Sequence, residues 1–189
     1  MASTRRGNAC PAHTRSIGVM RSLVIRALAI LLLSVMLSAG MASAKGLSAP
    51  VTRIVVEKEK RLMTVYNGTR LLKSYRIALG GNPLGHKQHE GDSRTPEGRY
   101  IIDGKNPNSS FHLSLKISYP NRADTQKARR KGLSPGGAIM IHGTPGGLST
   151  LNAMGFYSDW TAGCIAITNA EIEELFAAVR VGTPIVIRP

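Results

Sequence analysis

Residues 61–79 have the sequence RLMTVYNGTRLLKSYRIAL, in which Asn67-Gly68 separates two runs rich in apolar and β-branched residues. An Asn-Gly pair between such runs is the strongest short-range signal for a two-residue β-hairpin turn. These residues therefore predict two antiparallel strands at the start of a mainly β domain.

The chain on either side of this hairpin predicts further short strands and few helices. A Gly- and Pro-rich loop over residues 80–98 separates the hairpin from the strands that follow. Strands are expected at residues 51–56, 99–103, 111–119, 138–141 and 184–187, and helices at residues 121–131, near Leu151 and after Thr168. Six or seven strands with two or three short helices indicate a mixed β-barrel or sandwich.

Thr168 and Glu171 form a capping box at the start of the last predicted helix. Apolar residues at helical spacing follow this box and predict one buried face. In residues 111–119, Phe111 alternates with later apolar positions, which predicts that Phe111 belongs to the core face.

Residues 1–44 carry five arginines and no acidic residue, and they contain the apolar segment ALAILLLSVML at 27–37. This segment, followed by Ala-Ser-Ala at 42–44, predicts a signal peptide and export to the periplasm or cell wall. Met20 is an alternative start. An uncleaved membrane anchor is disfavoured because the apolar segment is short, so no stable membrane span is expected after cleavage. Residues 45–50 are predicted to be a flexible entry.

Residues 51–189 are then expected to form a single domain, and the chain that remains after residues 1–44 is strongly basic. The whole chain has 25 Lys and Arg against 11 Asp and Glu, and removal of five arginines with residues 1–44 leaves a net charge of +9. Such a charge favours an anionic partner such as the cell wall. Nucleic acid is disfavoured because export and the low aromatic content, 5%, do not fit it.

Cys164 is the only cysteine left after removal of Cys10, so an intramolecular disulfide is impossible. A lone exported thiol is either a buried small residue or a reactive one. Gly163 before it allows close approach of a substrate carbonyl, and nearby N–H groups could receive an oxyanion. His142, at the end of a predicted buried strand, is the best candidate for the base that activates this thiol.

The pattern His142-Gly143, a spacer, and Thr161-x-Gly163-Cys164 resembles the catalytic signature of the L,D-transpeptidase (YkuD-type) family. The residues RTPEGRY at 94–100 resemble that family's entry from loop to strand. The resemblance covers residues 51–189. Within the family, GGNPLGHKQHEGDSRTPEGRY, FHLSLKISYPN and DWTAGCIAITNAEI are similar to a branch that contains murein L,D-transpeptidases and an amidase that detaches a lipoprotein from peptidoglycan.

This resemblance implies that Cys164 attacks the third residue of a peptidoglycan stem peptide and forms an acyl-enzyme. His142 would be the general base, the Gly143 carbonyl would orient it, and the N–H groups of Gly163 and Cys164 would hold the oxyanion. Ala162 and Ala166 depart from the family pattern, and the missing arginine at 166 leaves the acceptor open. No cofactor is implied.

Four further residues are candidates for substrate binding: His112, Thr161, Trp160 and Asp159. His112 is predicted on the polar face of its strand, where it could assist His142, and a surface histidine is the alternative. Asp159 and Trp160 could shape the pocket or pack the loop.

Two other classes of function compete with the cysteine enzyme. A zinc hydrolase would use ligands among His86, His89, Glu90 and Asp92 together with His112 and His142, but their spacing does not match a helical His-Glu-x-x-His site. A non-catalytic wall-binding module would use the basic charge alone. Among the enzymes, transpeptidase, lipoprotein-releasing amidase and L,D-carboxypeptidase all remain open.

Overall fold

The hairpin forms where Asn67-Gly68 predicts it. In a computed structural model, which describes residues 46–145 and 158–189, strand Leu62–Asn67 pairs antiparallel with strand Arg70–Arg76. Gly68 has a φ of 58°, a conformation that glycine adopts without a Cβ clash. The prediction of this hairpin is confirmed.

The described residues contain eight strands and two helices. In chain order these are β1 (Arg53–Glu57), β2 (Leu62–Asn67), β3 (Arg70–Arg76), β4 (Gly98–Ser109), β5 (His112–Ile117), α1 (Arg122–Arg129), β6 (Met140–His142), β7 (Ile165–Ala166), α2 (Asn169–Ala178) and β8 (Pro184–Arg188). The mainly β class is confirmed, but the strand count exceeds the predicted six or seven. The additional strand is β7, whose two residues are too few to show an alternating pattern.

All eight strands belong to one sheet with the order β3-β2-β1-β8-β4-β5-β6-β7. The β1–β8 and β6–β7 pairs are parallel and the others are antiparallel. The sheet curls, because Ala78, just after edge strand β3, pairs with Ala166 in β7 at the opposite edge. Ala78 N–H donates to Ala166 O at 3.0 Å, and Ala166 N–H donates to Ala78 O at 2.9 Å. The two edges are thus joined as in a barrel.

Strand β4 is much longer than the predicted 99–103. Its first half pairs with β8, and its second half, which includes Pro107, pairs with β5. The sequence prediction ended too early because a polar segment with proline has low strand propensity. The extended β4–β5 hairpin carries residues 106–111 to the rim of the cavity described below.

Phe111 is an exception to the predicted core face of β5. Leu115, Ile117 and Tyr119 are buried as predicted, but Phe111 is exposed and Ser114 is buried. The alternation fails because His112 has a φ of 73° and the β4–β5 register shifts between Asn106 and Ser109.

Both helices begin with capping boxes. The predicted box at Thr168 and Glu171 is confirmed: the Thr168 side chain accepts from Glu171 N–H, and the Glu171 carboxylate accepts from Thr168 N–H. In α1, Asn121 and Asp124 form an equivalent pair. Helix α2 packs on β5 and β6, and its buried Ile172 and Leu175 join the core.

Two expectations fall on residues outside the described ranges. These are the signal peptide at 1–44 and the helical turn near Leu151. Of the helices that the structure describes, neither is long and apolar enough to cross a membrane.

Replacement of Ile141 in β6 tests the contribution of the buried core to stability. Its side chain is fully buried and its register partners are Leu115 and Ile165. Ile141→Ala should lower the free energy of unfolding by about 2–5 kcal/mol in urea denaturation, because it leaves a cavity. Ile101→Ala, at a position that is 44% exposed in β4, is the control and should cost less than about 1 kcal/mol. Equal losses would contradict this account of the core.

Candidate active site

His142 and Cys164 are brought together by the neighbouring parallel strands β6 and β7. His142 ends β6 and is the register partner of Ala166 in β7, and Cys164 immediately precedes β7. Both side chains line one cavity of about 530 Å³. The sheet thus brings the predicted thiol and the predicted base to the same cavity, although 22 positions separate them in the chain.

His142 is held in one tautomer. Its ring Nδ1 lies 2.6 Å from the carbonyl oxygen of Gly143, and a carbonyl can only accept a hydrogen bond. Nδ1 therefore carries the proton, and Nε2 has a free lone pair. Burial lowers the pKa of His142 below its usual value, and the hydrogen bond to Gly143 opposes that shift only in part. The imidazole is consequently neutral at pH 7 and can accept a proton.

Only glycine fits at position 143. A Cβ atom there would lie 2.4 Å from Asn169 Oδ1 and 3.0 Å from the Phe111 carbonyl oxygen. The backbone is therefore packed on the side where a side chain would project. The carbonyl of Gly143 lies at hydrogen-bonding distance from His142 Nδ1.

The Cys164 side chain is half-buried. Within the described part of the chain, its Sγ donates a hydrogen bond to Ala138 O at 3.6 Å rather than to His142. Burial raises the pKa of the Cys164 thiol, while a hydrogen bond from the Met140 backbone and the charge of Lys87 act in the opposite direction. The resting pair is thus a thiol and a neutral imidazole that line the same cavity.

The turn at residues 161–164 explains why position 163 is glycine and which hydrogen bonds Thr161 makes. Gly163 has a φ of 128°, and a Cβ there would lie 2.6 Å from Arg94 O. Its N–H, expected to receive an oxyanion, already donates to Thr161 Oγ1 at 3.0 Å. No described residue accepts a hydrogen bond from Cys164 N–H. The Cys164 amide is therefore better suited than the Gly163 amide to bind an oxyanion.

Thr161 has a structural hydrogen-bonding role. Its hydroxyl donates to Cys164 O at 2.8 Å, so both of its hydrogen bonds lie inside the turn. The residue lines the cavity, and its hydroxyl oxygen is engaged within the turn, so its contact with substrate stays a prediction.

The structure does not place His112 or Asp159 at the cavity. His112 Nε2 lies 2.7 Å from Glu173 Oε1, because its positive φ turns the side chain toward α2. Asp159 Oδ1 accepts from Leu79 N–H at 2.9 Å, and Oδ2 pairs with Arg61 at 2.7 Å. Both side chains are engaged in framework contacts, and the expectation that they bind substrate stays a prediction.

Trp160 and Phe111 form an aromatic wall beside His142. The ring centroid of Phe111 lies 4.5 Å from that of His142, and the centroid of Trp160 lies 5.8 Å from it in an edge-on arrangement. Both aromatic side chains line the cavity, and Trp160 is 43% exposed. Trp160 was predicted at the site, whereas Phe111 was assigned to the core. The polar run that precedes Phe111 was the one signal that a strand end lay there.

The histidines proposed as zinc ligands have separate partners. His86 pairs with Asp124, His89 Nδ1 lies 2.7 Å from the backbone oxygen of Glu90, and His112 contacts Glu173. Asp92 accepts from Lys87 and from three backbone amides of its loop. Across residues 46–145 and 158–189, no three His, Cys, Asp or Glu side chains are grouped to hold a metal. The geometry does not support the zinc hydrolase hypothesis.

Comparison with known proteins agrees with the geometry. A sequence profile of the L,D-transpeptidase catalytic domain, YkuD, matches residues 51–187. YafK of Escherichia coli (strain K12), a protein named provisionally as an L,D-transpeptidase, is 32% identical over 132 residues, which are 67% of this chain and 46% of YafK. This chain therefore spans about half the length of the curated relatives that it matches.

Solved structures share the fold. The helical cell shape determining protein Pgp2 from Campylobacter jejuni is 26% identical with a TM-score of 0.57, and the match covers 76% of this chain and 50% of Pgp2. An L,D-transpeptidase from Mycobacterium smegmatis is 14% identical with a TM-score of 0.50, covering 74% and 59% of the two chains, which shows the fold alone. On the profile match, which spans most of its length, the chain belongs to the L,D-transpeptidase (YkuD) family.

Proposed function

We propose that the chain is a cell-wall cysteine acyltransferase that acts on peptidoglycan stem peptides through a Cys164 thioester. One observation carries the proposal: the Cys164 thiol and the Nε2 lone pair of a neutral His142 belong to side chains that line the same cavity. A thiol with a neutral imidazole is a nucleophile with its general base.

In the proposed reaction, His142 Nε2 takes the proton of the Cys164 thiol as Sγ attacks the carbonyl carbon of the third stem residue. The tetrahedral oxyanion is held by Cys164 N–H. When the C–N bond breaks, the imidazolium returns its proton to the departing amine, and the thioester remains. An acceptor amine, or water, then attacks the thioester and releases Cys164 as a thiol.

The second candidate is a hydrolase at the same site, either an amidase that releases wall-bound lipoprotein or an L,D-carboxypeptidase. The residue at position 166 favours it. Ala166 is fully buried between β6 and Ala78, and it provides no cation for the carboxylate of an acceptor peptide. Water needs no such contact.

Location and cellular role follow from the same proposal. Residues 1–44 would direct export to the periplasm, where the net charge of +9 on the remaining chain would favour the anionic wall. Pgp2, which shares this fold at 26% identity, is a cell shape determining protein, so a contribution to cell shape is proposed here as well.

Replacement of Cys164 tests the chemistry. Residues 45–189, as wild type and as Cys164→Ala, should be incubated with stem peptides and with lipoprotein-linked muropeptide, and the products followed by mass spectrometry. Cys164-dependent dimers would establish transpeptidation, and Cys164-dependent release or shortening without dimers would establish hydrolysis. Equal products from the variant would contradict the cysteine mechanism, and the absence of products from both proteins would favour the non-catalytic wall-binding module.

The pH dependence of Cys164 alkylation tests the neutral pair. Because burial raises the pKa of the thiol and lowers that of His142, iodoacetamide should react slowly at pH 7, and the rate should rise only near or above about pH 8.5, the usual pKa of a free thiol. N-acetylcysteine in the same buffers is the reference. A fast, pH-independent rate between about pH 5 and 7 would instead indicate a thiolate–imidazolium pair.

Trp160→Ala tests the aromatic wall. Loss of the exposed indole should weaken stem-peptide binding by about 1.4 kcal/mol, a roughly tenfold rise in KM, because the substrate loses an apolar surface beside His142. Leu84→Ala removes a side chain that is 72% exposed and does not line the cavity, and it serves as the matched control. The same KM for the two variants would remove Trp160 from the binding surface.

A further inference from the structure

Asn169, the first residue of α2, contacts the peptide group that orients His142. Its Oδ1 accepts a hydrogen bond from Thr144 N–H at 2.7 Å and a second one from Thr144 Oγ1 at 3.1 Å. No sequence pattern assigns a role to Asn169, because it lies in the helix that follows the thiol and outside the His-Gly and Gly-Cys motifs.

The N–H of Thr144 and the carbonyl of Gly143 belong to one peptide group. A peptide group is planar, and in the trans form its N–H and C=O point in opposite directions. An acceptor that fixes the N–H therefore fixes the direction of the C=O. In this structure that carbonyl accepts from His142 Nδ1 at 2.6 Å.

We infer that Asn169 is a positioning residue for His142: by holding Thr144 N–H, it aims the Gly143 carbonyl at Nδ1 and keeps the lone pair on Nε2. The inference rests on the proposed function only in that His142 acts as the base for Cys164. In a triad the carboxylate orients the imidazole directly, and here a side-chain amide does so through one intervening peptide.

Helix capping does not explain the contacts of Asn169. Thr168 is the N-cap of α2, and its side chain accepts from Glu171 N–H in a complete capping box. Both donors to Asn169 Oδ1 come from Thr144, 25 positions earlier in the chain. The side-chain oxygen thus serves the loop after β6 and not its own helix.

The packing of Gly143 against Asn169 supports the same role. A Cβ at position 143 would lie 2.4 Å from Asn169 Oδ1, so the amide oxygen occupies space that any larger residue would require. The carbonyl of His142, one residue before Gly143, accepts a hydrogen bond from Ile167 N–H at 2.9 Å. Ile167 and Asn169, which both follow Cys164 in the chain, therefore bond to the backbone of residues 142–144, which carries the proposed base.

Three variants separate this role from a structural one. Asn169→Ala removes the acceptor. Asn169→Asp keeps an acceptor oxygen of the same shape and adds a negative charge near the imidazole. Thr144→Val removes the hydroxyl donor but keeps the Thr144 N–H bond. Thermal unfolding of each variant should be measured to check that it is folded. Asn169→Asp provides a test even if Asn169→Ala fails to fold.

The first readout needs no substrate. In ¹⁵N NMR of the His142 ring, the wild type should show the proton on Nδ1, Asn169→Ala should show a mixture of tautomers, and Asn169→Asp and Thr144→Val should resemble the wild type. With substrate, Asn169→Ala should lower kcat roughly 10- to 100-fold with little change in KM, because the base is misplaced rather than the substrate lost. Asn169→Asp should recover most of kcat and shift the acidic limb of the pH profile upward, since a nearby carboxylate favours the imidazolium.

An unchanged tautomer and kcat in Asn169→Ala would overturn the inference, as would a loss in Thr144→Val equal to that in Asn169→Ala. Failure of the proposed function has a different signature. If the wild type makes no Cys164-dependent product, the tautomer shift in Asn169→Ala can still be observed, because it is measured on the free protein.

Discussion

The pair of hydrogen bonds between Ala78 and Ala166 is the constraint on which the site depends. It joins the chain after β3, at one edge of the sheet, to β7 at the other, and so places the two-residue strand β7 between Ala78 and β6. The adjoining chain continues the contact, since Gly81 N–H donates to Thr161 O at 2.9 Å. Cys164 lies between these two points of attachment. A turn held on both sides presents its thiol in one position, as an attacking group requires.

The closure of the sheet also explains why position 163 is glycine and why Asp159 lies where it does. The backbone of Gly163 approaches Arg94 O too closely for a side chain, so the 80–98 loop packs directly behind the Cys164 turn. Asp159 ties the approach to that turn to Leu79 N–H and to Arg61, next to the hairpin that opens the domain. These residues shape the site without touching the cavity. They show how a charged residue beside a motif can serve the framework instead of the substrate.

Burial determines the electrostatics of the candidate pair. It moves the pKa of the Cys164 thiol up and that of His142 down, so both groups are neutral at pH 7. The partner of His142 Nδ1 is a neutral carbonyl, which fixes the tautomer but stabilises an imidazolium less than a carboxylate would. A general-base mechanism follows more naturally from this arrangement than a preformed ion pair. The aromatic rings of Phe111 and Trp160 keep the surroundings of the imidazole apolar.

From the sequence alone one can predict the mainly β class, the Asn67-Gly68 hairpin, the capped helix α2, and Cys164 and His142 as the candidate pair. These features depend on local turn and cap chemistry, or on residue types rare enough to stand out in one chain. Four features emerge only in the folded chain: β4 extends to Ser109, Phe111 lies at the cavity, His112 and Asp159 do not, and the Gly163 amide is occupied. Each of these depends on strand register, a positive φ or a hydrogen-bond partner distant in the chain. Such features leave no local pattern, because the energy that selects them comes from contacts made only when the sheet closes.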